Sequence, residues 1–196
     1  LDEEVAKLMH RLKGRAVLFA LSDPRHNWRM DILSTYKSNR KGKRKPVVYR
    51  ALRSHVEKHY NTACFSQLEA DDVLGINAGE DTIIVSDDKD LMTIPGHLYR
   101  PLADEEMEIT EEQADRYHLI QTLTGDRVDG YMGCPGIGPK TAEKVLKEGT
   151  WDEVVLAYEK AGLSEEVALT QARVARILRT GEWNPMTEEV MLWNPT

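Results

Sequence analysis

The chain has few cysteines, few phenylalanines and no long apolar stretch. Its 196 residues include only Cys64 and Cys134, whose positions fit neither a zinc-ligand nor a redox motif. The sequence therefore predicts a reduced, cytoplasmic setting without a disulfide framework. The longest apolar run, residues 16–21, is far shorter than the roughly 20 residues that cross a membrane. With 41% hydrophobic and 30% charged residues, the composition is typical of a globular domain.

Acidic residues are missing from the segment 37–53, although the whole chain carries a net charge of −7. This segment holds eight lysine and arginine residues and no aspartate or glutamate. A local basic patch attracts polyanions whatever the total charge, so the segment predicts a contact with nucleic acid. A solvated, flexible basic loop is the alternative interpretation. Because residues 24–46 are too many for a plain connection, we expect them to form a functional loop or arch.

Two tight groups of acids accompany a short predicted strand. Residues 82–85 are apolar on both faces, which is typical of a buried parallel strand, and Asp88 and Asp90 follow its C-terminal end. That edge of an open α/β sheet is where ligands bind. Crowded carboxylates repel one another unless a cation lies between them, so the pattern predicts a divalent-metal site. The alternative is that Glu69, in a capping box with Ser66, only stabilises the start of a helix.

A glycine hairpin forms the second informative stretch. Gly136 and Gly138 lie directly before a predicted helix that begins near Lys140. Glycines let a backbone approach a phosphate, and the amides at a helix start can donate hydrogen bonds to it. A plain turn between two helices is the alternative interpretation, but the hairpin is preceded by another acidic pair, Asp126 and Asp129. The combination favours a phosphate contact.

The order of the predicted elements indicates an α/β fold with a parallel-sheet core, followed by a helical region. We expect the α/β core in residues 1–109, including the arch, and the helical region in residues 110–196, with a DNA-binding hairpin at about 133–148. Capping boxes predict helices that start at Thr110 and Thr150. The predicted strands are 16–21, 62–65 and 82–85 with a hairpin within 97–109, and the predicted helices are 1–13, 48–59, 67–78, 110–124, 140 onward, 150–161 and 164–179.

Six short motifs follow one another along the chain. They are an aspartate after a strand at Asp23, Tyr-Lys-x-x-Arg from Tyr36, Glu-Ala-Asp-Asp from Glu69, Ser-x-Asp-Lys-Asp-Leu from Ser86, Gly-Asp-x-x-Asp-Gly from Gly125 and Gly-Ile-Gly-x-Lys-Thr-Ala from Gly136. In this order they resemble the motifs of the flap endonuclease and 5′→3′ exonuclease family. The stretches 27–29, 175–179 and 192–193 are similar to the pattern of the exonucleases of short-tailed phages. The resemblance covers nearly the whole chain.

The resemblance implies roles for individual residues. Lys37 and Arg40, three apart on one face of a helix, would be catalytic and bind the scissile phosphate. Tyr36 would stack on a base in the arch, or be a core aromatic as the alternative. Asp87 falls at a position that the family fills with other residues. The implied metal ligands are Asp23, Glu69, Asp71, Asp72, Asp88, Asp90, Asp126 and Asp129. The implied DNA contacts are Tyr36, Lys41, Lys43, Arg44, Lys45, Gly136, Ile137, Gly138, Lys140, Thr141 and Lys144.

The resemblance also implies an activity, namely hydrolysis of phosphodiester bonds at the 5′ ends of duplex or branched DNA, extending to RNA in RNA:DNA hybrids. Two Mg²⁺ or Mn²⁺ ions about 3.5 to 4 Å apart would clamp the phosphate. A potassium ion would bind at the glycine hairpin. A phage-encoded enzyme of this kind would act in the cytoplasm of the bacterial host, with replication proteins as partners in primer removal or DNA degradation.

One departure from the family pattern keeps a rival interpretation open. Family members begin with a strand that ends in a metal-binding aspartate, whereas this chain starts at Leu1 in the helix that follows. Either a segment precedes Leu1 or the chain is a natural short form. A structure-specific DNA-binding relative with impaired catalysis is therefore the alternative. A hydrolase of small phosphate esters is a third interpretation, but it leaves the glycine hairpin and the basic arch without a purpose.

Overall fold

The computed structural model describes residues 1–40, 42 and 44–195. Within these residues, no helix is both long and apolar enough to span a lipid bilayer. The described chain alternates helices with short strands in its N-terminal half and is mainly helical after residue 110. The N-terminal elements are α1 (Asp2–Arg11), β1 (Leu18–Ala20), α2 (Arg29–Ile32), a 3₁₀ turn (Ser38–Arg40), α3 (Tyr49–His59), β2 (Asn61–Ala63), α4 (Ala70–Ile76), β3 (Ile83–Val85), a second 3₁₀ turn (Lys89–Thr93), β4 (Gly96–Arg100) and β5 (Glu105–Ile109).

Parallel pairing occurs in both sheets of this half. β1 pairs with β2, so that Phe19 lies opposite Thr62, and β3 pairs with β4, so that Ile84 lies opposite Leu98. β4 then turns back into β5 as an antiparallel hairpin. In the part of the chain that the structure describes, no ladder joins β1 to β3, and the two sheets are separate. The predicted α/β class with a parallel-sheet core is confirmed.

Four helices and a small hairpin form the C-terminal half. Capping boxes at Thr110 and Thr150 start two of the helices, as the sequence predicts. The helices pack around Tyr158, which is fully buried and donates a hydrogen bond of 2.7 Å from its hydroxyl to the carbonyl oxygen of Thr122. The elements are α5 (Glu111–Thr124), α6 (Pro139–Val145), α7 (Trp151–Lys160), α8 (Glu165–Ala175), β6 (Trp183–Asn184) and β7 (Glu189–Val190).

α5 contacts both halves of the chain. It packs against the 3₁₀ turn Lys89–Thr93 on one side and against α8 on another. Ile84 on β3, Ala114 on α5 and Ile177 after α8 belong to one buried apolar cluster. Since this core is shared across residue 110, the division into a nuclease core and a separate helical region stays a prediction.

The start of α4 differs from the sequence prediction. The helix begins at Ala70, and its capping box joins Glu69 to Asp72 rather than Ser66 to Glu69. The backbone amide of Ala70 instead donates a hydrogen bond of 3.0 Å to the hydroxyl oxygen of Ser22, which follows β1. The start of α4 is thus set by a neighbouring strand as well as by its own residues.

The end of α8 differs for a similar reason. α8 ends at Ala175 rather than near residue 179, and the backbone becomes extended at Arg176. The carbonyl oxygens of Val174 and Arg176 accept hydrogen bonds from the guanidinium of Arg29. A helix carbonyl that is bound by a buried side chain no longer needs a partner further along the helix, so the chain can leave the helical path here.

Gly75 provides a test of how closely α4 packs. A Cβ atom at this position would lie 2.1 Å from the carbonyl oxygen of Leu178 and 2.9 Å from Cδ1 of Ile94. We expect Gly75→Ala to lower the free energy of unfolding by about 1–3 kcal/mol, because a backbone carbonyl cannot give way easily. Gly79→Ala is the matched control, because a Cβ there meets nothing within 4 Å. Urea denaturation of both variants measures the difference, and equal losses would contradict this packing.

Candidate active site

A cleft of about 660 Å³ opens beside the carboxyl end of β3. The turn after β3, the start of α4, the segment between α5 and α6, and the segment after α2 each supply part of its wall. Both carboxylates and cations line this cleft. The lining carboxylates are Glu69, Asp71, Asp88, Asp90, Asp126 and Asp129, and the lining cations are Arg29, Lys37, Arg40, Lys89 and Arg127.

Local turns place several of these acids. Asp88 caps the 3₁₀ turn after β3, since its carboxylate accepts a hydrogen bond of 3.0 Å from the amide of Asp90. Asp126 organises the segment after α5 in the same way, with its carboxylate accepting from the amides of Val128 and Asp129 at 2.6 and 3.2 Å. Each carboxylate therefore has a structural role in addition to lining the cleft, and its role as a metal ligand stays a prediction.

The segment after α2 places Tyr36, Lys37 and Arg40 in contact with acids of the cleft. Lys37 pairs with Glu69 and, at 3.3 Å, with Asp129, and Arg40 also pairs with Asp129. The hydroxyl of Tyr36 donates to Glu69 at 2.7 Å. Because Tyr36 is only 4% exposed and packs in an apolar cluster, the core interpretation of this residue replaces the prediction that it stacks on DNA.

Lys37 and Arg40 do not share the helical face that their spacing predicts. Lys37 has a φ of +49° and precedes the 3₁₀ turn that contains Arg40. The left-handed conformation lets the amide of Lys37 donate to the carbonyl oxygen of Asp129 at 2.7 Å. The prediction of a helix is wrong here, but both side chains still reach the same carboxylate.

Further hydrogen bonds dock the segment between α5 and α6 onto the residues after α2. The amide group of Asn39 donates to the carbonyl oxygen of Val128 at 3.0 Å, and the hydroxyl of Thr35 donates to that of Gly130 at 2.9 Å. Gly130 has a φ of +82°, and a Cβ there would lie 2.4 Å from the carbonyl oxygen of Thr35. Glycine is therefore required at this position, and the acids of this segment are held beside the cations.

The acids differ in how their charge is balanced. Burial would raise the pKa of Glu69, but the charges of Arg29 and Lys37 outweigh this effect and lower the pKa to about 2. Burial raises the pKa of Asp71 to about 7, and the charges of Glu69 and Asp88 add to the shift. Burial also raises the pKa of Asp90 to about 6, with a contribution from Asp88. One side of the cleft is thus neutralised by protein cations, and the other side has an excess of negative charge.

Asp72 does not line the cleft, and the structure gives it a different role from the predicted metal ligand. Its carboxylate is fully buried and accepts from both terminal nitrogens of Arg29, at 2.7 and 2.6 Å. Trp28 Nε1 and the amide of Leu178 also donate to it, at 3.2 and 3.1 Å. These donors saturate the carboxylate, so we remove Asp72 from the candidate ligands.

Asp23 is also separated from the other acids. It follows β1 as predicted, but its carboxylate accepts from the amides of Arg25 and Gln67 at 2.9 and 3.0 Å and does not line the cleft. Burial would raise its pKa, yet these hydrogen bonds lower it below the ordinary value. This arrangement does not support the prediction that Asp23 binds metal together with the other acids.

The glycine hairpin lies before α6, apart from the residues that line the cleft. A Cβ at Gly136 or Gly138 would meet nothing within 4 Å, so the backbone is open to an approaching ligand. Lys140, Thr141 and Lys144 are exposed on α6, which begins at Pro139. Ile137 packs partly against the helical core. The structure is compatible with a contact to a DNA backbone at this surface, and this contact stays a prediction.

Half of the predicted basic contacts in the arch can be located. Arg44 and Lys45 are exposed, and Lys45 lies 4.2 Å from the centre of the Tyr49 ring. Lys41 and Lys43 lie outside the described residues. Asp87, which the family pattern leaves out, accepts a hydrogen bond of 2.8 Å from the amide of Leu102 and does not line the cleft.

Sequence reasoning missed several residues that line the cleft. Lys89 and Arg127 lie between the predicted acids, so their neighbourhood in sequence could have identified them. Arg29 belongs to one of the phage-like stretches, but nothing in the pattern indicates that it is buried. Gln121 on α5 also lines the cleft, and no motif contains it.

The acids fit a divalent cation by their chemistry. Carboxylate oxygens are the ligands that Mg²⁺ and Mn²⁺ prefer, and the uncompensated charge at Asp71 and Asp90 favours a cation between them. In the described residues, however, no group of three or more histidine, cysteine or acidic side chains is arranged to hold an ion as it stands. Glu69 and Asp129 are paired with lysine and arginine instead. Metal binding would therefore require small side-chain movements at this site.

Similar proteins were found by sequence. No family model matches the chain. The exodeoxyribonuclease of enterobacteria phage T3 is 32% identical over 225 residues, which cover 93% of this chain and 74% of that protein. The exonuclease of Escherichia phage T7 is 33% identical over 227 residues, which cover 93% and 75%. The flap endonuclease Xni of Shewanella oneidensis is 27% identical over 139 residues, which cover 62% and 53%.

Similar folds were found among solved structures. The flap endonuclease of bacteriophage T5, in a complex with DNA and metal ions, superimposes with a TM-score of 0.69 at 16% identity, covering 88% of this chain and 78% of that one. The T5 5′-exonuclease with bound zinc gives a TM-score of 0.66 at 17% identity, covering 88% and 78%. At these identities the likeness shows the fold.

The raised pKa of Asp71 predicts how pH changes the stability of the metal-free protein. Between about pH 4, where an aspartate titrates in the unfolded chain, and about pH 7, the folded protein binds more protons, so its stability falls as pH rises. Asp71→Asn removes this contribution. In EDTA, we expect the variant to be more stable than the wild type at pH 8 and nearly equal to it at pH 4. Urea denaturation at both pH values tests this, and a difference independent of pH would contradict it.

Proposed function

This chain belongs to the family of phage 5′→3′ exonucleases and flap endonucleases that includes the T3 and T7 enzymes, and on that premise we propose a divalent-metal-dependent 5′ nuclease that acts on DNA. The observation that carries the proposal is the cleft itself. Six carboxylates from three separate segments line it, and Lys37 and Arg40 lie beside one of them, Asp129. Such a set suits the hydrolysis of a phosphodiester, which needs bound cations and a positively charged partner for the phosphate.

The carboxylates that would hold the metal are those that line the cleft. They are Glu69, Asp71, Asp88, Asp90, Asp126 and Asp129. Two divalent cations, Mg²⁺ or Mn²⁺, would supply activation of a water molecule and charge stabilisation at the leaving 3′ oxygen. No side chain of the protein has to act as the nucleophile.

The protein's own cations would bind the substrate. Lys37 and Arg40 both pair with Asp129 in the cleft, and a scissile phosphate placed there would be within reach of both side chains. Their positive charge would offset the charge that develops on the phosphate. Tyr36 and Arg29 also bind Glu69, from the buried side, so Lys37 could turn to the substrate without releasing this carboxylate.

The DNA duplex would be held away from the cleft. The open backbone at Gly136 and Gly138, with Lys140 and Lys144 on α6, would contact phosphates of the duplex, and a potassium ion would bind at the same turn. Arg44 and Lys45 would contact the strand that carries the 5′ end.

We propose that the substrates also include DNA flaps and the RNA strand of RNA:DNA hybrids. The enzyme would then act in primer removal or DNA degradation, together with replication proteins, in the cytoplasm of the bacterial host.

A DNA-binding relative without catalysis is the rival function. It is favoured by one observation, namely that Asp23 and Asp72 are engaged in structural hydrogen bonds rather than in the cleft. The two functions differ in whether a bound 5′ end is cleaved. Incubation of a 5′-labelled duplex with the protein, with Mg²⁺, Mn²⁺ or EDTA, separates them. Metal-dependent release of short 5′ products supports the nuclease, and binding without any product supports the rival.

Asp88→Asn tests the role of the acids. We expect this change to slow cleavage on the order of a thousandfold or more while duplex binding persists, because a ligand of the cation is lost but the DNA contacts remain. Asp87→Asn is the matched control, since the neighbouring carboxylate only accepts from the amide of Leu102. Gel-based cleavage rates and fluorescence anisotropy measure the two effects. Equal activity of both variants would remove Asp88 from the site.

Lys37→Ala tests the role of the cations. We expect single-turnover cleavage to slow by about 10²–10³-fold with a much smaller change in DNA affinity, because Lys37 stabilises charge that develops during the reaction. Lys7→Ala is the control, since that lysine is exposed on α1 and pairs only with Glu4. An effect confined to KM would instead make Lys37 a plain phosphate contact.

A further inference from the structure

Gln121 is a buried polar residue on the wall of the cleft. It is 8% exposed, lies on α5 and lines the cleft. A buried glutamine is costly unless its amide group is hydrogen-bonded. Its burial therefore requires hydrogen-bond partners at the wall of the cleft.

The two ends of the Gln121 amide group are used unequally. Nε2 donates a hydrogen bond of 2.7 Å to Oδ1 of Asp90. No other donor meets the Asp90 side chain in the described part of the structure. Oε1 of Gln121 is buried and has no partner among these residues. The orientation follows from charge, since an ionised carboxylate can accept from the NH₂ group but is repelled by the carbonyl oxygen.

We propose that Gln121 is a positioning residue that prepares Asp90 to bind a divalent cation. Its NH₂ group fixes Oδ1 of Asp90, which leaves Oδ2 available as a ligand. The inference rests on the proposed function, because it concerns the same acidic cleft. It assigns a role to a residue outside every motif that the sequence shows.

The charges around Asp90 explain why such a residue is useful. Asp90 has the charges of Asp88, Asp126 and Asp129 nearby, and the charge of Lys89 offsets them only in part, since Asp90 forms no ion pair within the described residues. Repulsion by these carboxylates would turn the side chain away from the cleft. A neutral amide donor can hold the carboxylate in place without adding a positive charge that would compete with a cation. Hydrogen-bond partners of metal ligands elsewhere change metal affinity by about 10- to 100-fold when removed.

Gln171 on α8 provides a matched control. It is also 8% exposed, but its Oε1 accepts a hydrogen bond of 3.0 Å from the amide of Gly133, and it does not line the cleft. Gln121→Met and Gln171→Met remove the same amide group from similarly buried positions. Both changes alter packing to a similar degree, so only an effect on the cleft distinguishes them.

The test measures binding of Mn²⁺ alone, without DNA, from the electron paramagnetic resonance signal of the unbound ion. We expect Gln121→Met to weaken Mn²⁺ binding by about tenfold or more and Gln171→Met to leave it unchanged. If the wild type binds Mn²⁺ and Gln121→Met binds it equally well, the inference on Gln121 is overturned and the proposed metal site stands. If the wild type binds no Mn²⁺ at millimolar concentrations, the proposed metal-dependent function fails first, and the inference fails with it.

A second measurement uses the wild-type protein in case Gln121→Met does not fold. The side-chain NH₂ groups of Gln121 and Gln171 give separate signals in a ¹H–¹⁵N spectrum. We expect titration with Mg²⁺ to shift the Gln121 signal and to leave that of Gln171 in place, since only Gln121 contacts a carboxylate of the cleft. Saturation with Mg²⁺ that moves neither signal would contradict the proposed role.

Discussion

The buried ion pair between Arg29 and Asp72 is the interaction on which the architecture around the cleft depends. Arg29 is 3% exposed and Asp72 is fully buried, so either charge alone would destabilise the fold by about 3–5 kcal/mol. The guanidinium also binds the carbonyl oxygens of Val174 and Arg176, which ends α8. Segments from the start, the middle and the end of the chain must therefore come together before these charges are satisfied. Glu69 then emerges beside this pair at the start of α4, facing the cleft.

The cleft combines a balanced side with an unbalanced side, and this division is what makes it chemically useful. Lys37 and Arg40 pair with Glu69 and Asp129, whereas burial raises the pKa values of Asp71 and Asp90, and the charges of Lys37 and Lys89 offset this effect only in part. Full neutralisation by lysine and arginine would stabilise the metal-free fold but would leave no attraction for an added cation. Asp71, Asp88, Asp90 and Asp126 form no ion pair within the described residues, and the raised pKa values of Asp71 and Asp90 reduce the repulsion because they favour the protonated forms.

The sequence predicts the fold and most of the site for physical reasons that act locally. The capping boxes at Thr110 and Thr150 and the acids after β3 depend mainly on neighbouring residues, and the structure shows them in place. The prediction that β3 is buried is wrong, because β3 lies at the edge of its sheet in the described residues, and Ile83 and Val85 are each 36% exposed. The failures concern partners distant in sequence. Asp72 looks like the other acids of its motif, and its burial is decided by Arg29, 43 residues away. The end of α8 and the role of Gln121 depend in the same way on contacts that no local pattern records.

The pairing of Lys37 and Arg40 with the acids links metal binding to substrate binding under the proposed function. A cation that binds Asp129 competes with these side chains, because Lys37 and Arg40 each contact one of its two carboxylate oxygens. A side chain that turns away from Asp129 carries a positive charge that is then less well balanced, and a DNA phosphate can pair with it. Electrostatics would thus favour the joint presence of metal and DNA over either one alone. The buried bonds of Glu69 to Tyr36 and Arg29 keep the rest of the wall fixed while this exchange takes place.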